Sequence, residues 1–335
     1  MHSHHSHSGD YCAHGADPLD SIIDRVVQLD FHTYCLTEHI PRVESKFIYP
    51  EELELGDTSD EIITSLETSF KKFLSHAQEI KTRYAAMPEV RTRFIIGTEI
   101  ESCDMDHIKY AKRVMMENSG ILQFCVGSVH HVNGIPIDFD QEQWHNSLHS
   151  LDDNLRLFLL SYFHSQYEML TTVKPLVVGH FDLFKLFLPS DMLVDPKTGL
   201  CDKETGVPIA SLDVINQWPD VYDAVVRNLQ FIDSYGGTIE INTSALRKGL
   251  EEPYPGRAVC DLVKKHCGSR FLLSDDAHGV AQVGVCYDKV KKYILDVLQL
   301  EHLYYLEECA PPQNVLSVKK LPISQFVNDP FWANI

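Results

Sequence analysis

The stretch RFLLSDDAH (270–278) runs from three apolar residues, Phe271 to Leu273, almost directly into Asp275, Asp276 and His278. A short apolar run stopped by a polar cluster reads as a strand buried on both faces, as in a parallel sheet. The same grammar recurs in HTYCLTEH (32–39), RFIIGTEIE (93–101), FCVGSVHH (124–131), PLVVGHFD (175–182) and GTIEINTS (237–244). The opening HSHHSHS (2–8) makes a seventh strand. Its His5 and His7 are one residue apart, the spacing that puts two imidazoles on one side of an extended chain. An expression tag is usually an unbroken histidine run, which this is not.

Helix-like segments separate these runs. DPLDSIIDRVVQL (17–29) offers Asp17 as N-cap, Pro18 at the first helical position and an apolar stripe of Ile22, Ile23, Val26 and Val27. A longer amphipathic segment spans 59–86. Buried strands alternating with helices predict an α/β fold with a parallel sheet covered by helices. A chain of 335 residues suits one large α/β barrel, expected over 1–310. The polar, turn-rich stretch 189–213 reads as an inserted excursion, and 311–335 as a C-terminal arm packed on the barrel.

Composition narrows the function. The net charge of −19 argues against a nucleic-acid partner, which would need a basic stripe to neutralise phosphates. An acidic protein acting on a small phosphate ester would instead need bound cations. No apolar run of the length of a membrane span is present, and the N-terminus lacks the pattern of a secretory signal. Nine scattered cysteines without CxxC pairs read as reduced thiols of a cytoplasmic protein, not as a disulfide framework or a cysteine zinc site.

The strand ends carry the chemistry. In a parallel barrel all strand C-termini open on one face, which holds the site. That face would gather His5, His7, His14, His39, His130, His180 and His278 with Glu99 and Asp276. Glu38, Asp182, Glu240 and Arg247 also stand at or just beyond strand ends. A lone strand-end histidine is commonly structural, but such a series is not a chance pattern, and unpartnered it would be costly to bury. His2, His4, His32, His76, His107, His145, His149, His164, His266 and His302 lack this placement and read as solvated or structural. His131 should point to the opposite face from His130. Nine nitrogen and oxygen ligands exceed the four that one zinc takes, so three ions with one bridging carboxylate would use them all.

These motifs, HSHS (5–8), TEH (37–39), GTE (97–99), GSVHHV (127–132), VVGHFD (177–182) and SDDAH (274–278), resemble the series of the PHP metal-dependent phosphoesterases. The resemblance runs from the first residues to about 280. GSVHHVNGIPIDFD (127–140), EINTSALRKG (240–249) and YPG (254–256) are most similar to the histidinol-phosphate phosphatases of the PHP type, fungal in pattern. The resemblance implies a distorted (β/α)7 barrel with a trinuclear metal centre, and imidazole and carboxylate donors suit zinc, iron and manganese alike. It places His5, His7, Glu99 and Asp276 on one ion, Glu99, His130 and His180 on a second, and His14, His39 and His278 on a third. The activity it implies is hydrolysis of L-histidinol phosphate, in histidine biosynthesis, by attack of a metal-bound hydroxide on phosphorus.

Arg247, with Arg257 and Arg42 as weaker candidates, would bind the phosphate. Glu38, Asp182 or a metal-bound water would supply the leaving-group proton, and Asp138 or Asp140 would receive the histidinol end. Glu38 departs from the family's usual TDH by one methylene. Competing readings are a PHP-type phosphoesterase or related hydrolase of other specificity, and a non-catalytic metal-binding protein.

Overall fold

The computed structural model describes residues 1–309 and 315–335, so the expected boundary at 310–311 lies outside the described residues. The opening histidine segment and the six apolar runs become β1 (His2–Ser3), β2 (Thr33–Leu36), β3 (Arg93–Ile100), β4 (Phe124–Gly127), β5 (Val177–Val178), β6 (Thr238–Asn242) and β7 (Phe271–Ser274). They follow one another in chain order and every neighbouring pair is parallel. The ends of the sheet meet: His4 N donates to Leu273 O at 3.2 Å and His7 N to Ala277 O at 2.8 Å. The result is the expected α/β barrel of seven strands.

Alternation along the strands decides what fills it. On β3 the residues Ile95, Gly97, Glu99 and Glu101 share one side, because side chains alternate at a period of two. The lower end is apolar: Cys35, Ile95, Phe124, Val126, Val177 and Leu272 pack together. Gly97 makes room there, since a Cβ would lie 2.5 Å from the Phe124 ring. Two residues higher the lining becomes ionisable. The barrel is therefore a packed core below and a polar mouth above.

The outward residues pack under α1 (Leu19–Gln28), α2 (Ser59–Ala85), α3 (Met105–Glu117), α4 (Leu155–Val173), α5 (Pro219–Tyr235) and α6 (Arg257–His266). The expected cap of α1 differs: Pro18 takes the cap position, and the Asp17 carboxylate accepts from Val280 N at 2.8 Å instead. No described helix is long and apolar enough to cross a membrane.

Two further segments depart from the sequence reading. Within 189–213, Leu193–Val194 pairs antiparallel with Val207–Pro208. The tail is more ordered than an arm without regular structure: β8 (His302–Glu308) and β9 (Leu316–Pro322) form an antiparallel hairpin. Leu306 of β8 joins the apolar cluster at the lower end of the barrel, so the hairpin closes the face away from the mouth. Phe326 and Phe331 continue into the main core.

Candidate metal centre

The strand C-termini bring the expected ligands to the mouth, with Glu99 at the middle. His5 and His7 leave β1 in extended chain, and their Nε2 atoms lie 3.0 Å apart. Both face Glu99 Oε2, at 3.1 and 3.3 Å, and Asp276 Oδ1, at 3.8 and 3.7 Å. The other Glu99 oxygen faces His130 Nε2 at 3.1 Å and His180 Nε2 at 3.0 Å. One buried carboxylate thus divides its oxygens between two donor sets. A third set gathers Cys12, His14, His39 and His278, with a ligand atom of each within 4.8 Å of the others. Two ligands about 2.1 Å from a shared tetrahedral zinc stand roughly 3.4 Å apart, close to these separations.

The local chain explains the aim of these groups. Asp276 sits at φ 50, a left-handed conformation that aspartate tolerates better than most residues and that marks functional sites. The loop carrying Cys12 and His14 is folded against its own start: a Cβ on Gly15 would lie 2.5 Å from Ser8 C and Gly9 N.

Carboxylates behind the imidazoles fix their orientation. Glu240 is 3.2 Å from His5 Nδ1, Glu38 3.5 Å from His7 Nδ1, and Asp138 3.0 Å from His130 Nδ1. Metal-ligating histidines use their second nitrogen in this way.

The electrostatics have the same origin. Burial opposes charge on His5, but Glu99, Asp276 and Glu240 outweigh it and hold its pKa well above the ordinary value. His7 is raised to about 9 against burial by Glu38 and Glu99. Burial raises Glu99 and Asp276, but neighbouring imidazoles, His5 foremost among them, hold both well below the carboxylate range. Burial, with His7 beside it, lowers His39 to about 4. Its Nε2 is buried without a hydrogen-bond partner among the described residues. So many lone pairs at 3 to 4 Å require positive charge among them, supplied by protons or by divalent cations. The donor set fits divalent metal.

A cavity of about 300 Å3 opens over the cluster, lined by His14, His39, Glu99, His130, His180, Asp276 and His278. Arg247, Lys248, Tyr49, Glu51, Asp138 and Phe139 complete the lining. Arg247 Nη2 donates to the Asp276 carbonyl at 3.3 Å, while its Nε is buried without a hydrogen-bond partner among the described residues.

Four expected roles need correction. Arg257 is well exposed at the start of α6, faces Asp261 and does not line the cavity. Arg42 is buried between Glu52 and Glu101, its Nη1 2.7 and 2.6 Å from the two Glu101 oxygens, so its guanidinium has no face left for phosphate. Asp182 accepts from Gly256 N at 2.8 Å and Lys185 Nζ at 3.1 Å, away from the cavity lining. Glu38 accepts from Ser8 Oγ at 2.7 Å and lies behind His7, so it orients a ligand and does not reach a leaving group.

His131, left open by the sequence, is buried against Phe47 and Tyr49 and joins no donor set. Sequence reasoning passed over Cys12, Glu51, Glu101 and Lys248. Only Glu101 carried a signal, standing two residues beyond Glu99 on the same side of β3.

The PHP domain family matches residues 3–244. The chain belongs to the PHP family. It is 78% identical over 335 residues, the full length of both chains, to the histidinol-phosphatase of Saccharomyces cerevisiae. It is 34% identical over 321 residues, 96% of this chain and 94% of the relative, to a protein of Schizosaccharomyces pombe named a probable histidinol-phosphatase. The crystal structure of HisK from Listeria monocytogenes shares the fold at a TM-score of 0.59 and 19% identity, over 86% of this chain and 99% of that one. Histidinol phosphate phosphatase from Lactococcus lactis, solved with zinc, L-histidinol and phosphate, aligns at a TM-score of 0.50 and 12% identity, over 87% and 92%. The PHP match ends before β7, so Asp276 and His278 stand on geometry.

Proposed function

We propose that this chain is a histidinol-phosphatase, a phosphoric monoester hydrolase that converts L-histidinol phosphate to L-histidinol and phosphate at a centre of three divalent ions. The observation that carries the reading is a nine-ligand cluster under a cavity with a cationic edge, in a chain 78% identical over its full length to a curated histidinol-phosphatase. His5, His7, Glu99 and Asp276 would hold one ion, Glu99, His130 and His180 a second, and His14, His39 and His278 a third. Zinc, the metal present in the Lactococcus lactis structure, suits these donors, and so do iron and manganese. Bound ions supply Lewis acidity and make hydroxide available near neutral pH.

The chain's own side chains set the rest. Arg247 and Lys248 take the phosphate oxygens at the exit of β6, where the guanidinium fork matches phosphate geometry. Asp138 and Glu51, in the same lining, give the cationic end of the substrate complementary charge, and Tyr49 and Phe139, stacked at 5.9 Å, offer an aromatic wall to an imidazole. The two poles of the substrate thereby fix its direction. Metal-loaded protein is expected to release phosphate from L-histidinol phosphate much faster than from p-nitrophenyl phosphate or a nucleotide. Equal rates on all three would reject the substrate and leave the fold intact.

A further inference from the structure

The third donor set holds one group that the trinuclear reading does not use. Cys12 is buried, with its Sγ 3.1 Å from His14 Nε2. It offers that sulfur to the same cluster as His39 and His278. The loop places it firmly: Cys12 N donates to Ser8 O at 2.9 Å and Gly15 N to Cys12 O at 2.9 Å.

We infer that Cys12 is the fourth protein ligand of the third ion, completing a set of one thiolate and three imidazoles. This rests on the metal-centre reading above. Coordination replaces the S–H bond by an S–metal bond, and the thiol proton leaves to solvent. Four donors of this kind close a tetrahedral zinc site. The third ion then has no free position while the thiolate is bound, and handling of water falls to the two ions that share Glu99. The soft sulfur also biases this position towards zinc over manganese. The ion ties the loop after β1 to the ends of β2 and β7.

The test is electronic absorption of the cobalt-loaded protein, with metal content per chain. Wild-type protein is expected to show visible d–d bands and, in addition, a near-ultraviolet thiolate-to-cobalt charge-transfer band. Cys12→Ser and Cys12→Ala should abolish that band, keep d–d bands and lose one of three ions first on dialysis against chelator. Cys103→Ser should retain it, because that thiol faces Glu101 at 3.8 Å. Wild-type d–d bands without charge transfer, or a band that survives in both Cys12 variants, would overturn the assignment and leave the metal centre standing. Failure to bind cobalt at all would overturn both.

Discussion

At Asp138 one carboxylate faces both His130 and the cavity. Its Oδ2 is 3.0 Å from His130 Nδ1, and the same carboxylate lines the cavity. If orientation of His130 is its main work, Asp138→Asn should weaken metal retention or kcat by about 10- to 100-fold with the fold unchanged. A raised KM with full metal content would instead give it to the substrate alone. His4 makes the opposite case of a histidine that holds structure. Its Nδ1–H donates to Leu273 O at 2.8 Å, and its Nε2 accepts from Leu306 N at 3.1 Å. Burial lowers its pKa to about 4, against 6.5 for the free side chain. The unfolded chain therefore takes up the proton first, and the stability His4 provides is present above pH 6.5 and lost as pH falls towards 4. The loss is roughly 3 kcal/mol. Denaturant titrations of His4→Gln should show a shallower decline over that interval than the parent, and an identical decline would contradict the assignment.

Among the elements, the strands were the most legible, because each apolar run ends abruptly at its chemistry. RFIIGTEIE at 93–101 became β3 at Arg93–Ile100, with Glu99 where the pattern put it. The tail was far less legible. HLYYLEE of β8 lacks a clean alternation, and what it is worth to the fold comes from pairing with β9 and from a distant contact with the floor of the barrel. Glu38, Asp182 and Arg42 were misassigned for a related reason. Residue type and strand-end position show that a charge is near the site, but which partner satisfies it is decided by tertiary packing. The φ of Asp276 and the turn that buries Cys12 are equally invisible to spacing. The hairpin's role can be measured. Leu306→Ala removes a fully buried side chain from the lower cluster and should cost about 2–5 kcal/mol in denaturant unfolding, with kcat unchanged because the mouth lies at the other end of the strands. A cost below about 1 kcal/mol would mean that the hairpin merely rests on the barrel.

For the whole molecule, the net charge of −19 and an anionic substrate are compatible only if the field is reversed locally. Arg247 and Lys248 contribute to that reversal, and divalent ions at the end of the barrel would complete it. Everything proposed about catalysis depends on side chains from His5 to His278 gripping a small cluster of cations. The most direct measurement is anomalous diffraction from crystals of metal-loaded protein, collected on either side of the metal's absorption edge. Three peaks are expected: one among His5, His7, Glu99 and Asp276, one among Glu99, His130 and His180, and one among His14, His39 and His278. Peaks elsewhere, or none at the mouth in crystals of protein that still hydrolyses substrate with chelator present, would contradict the account.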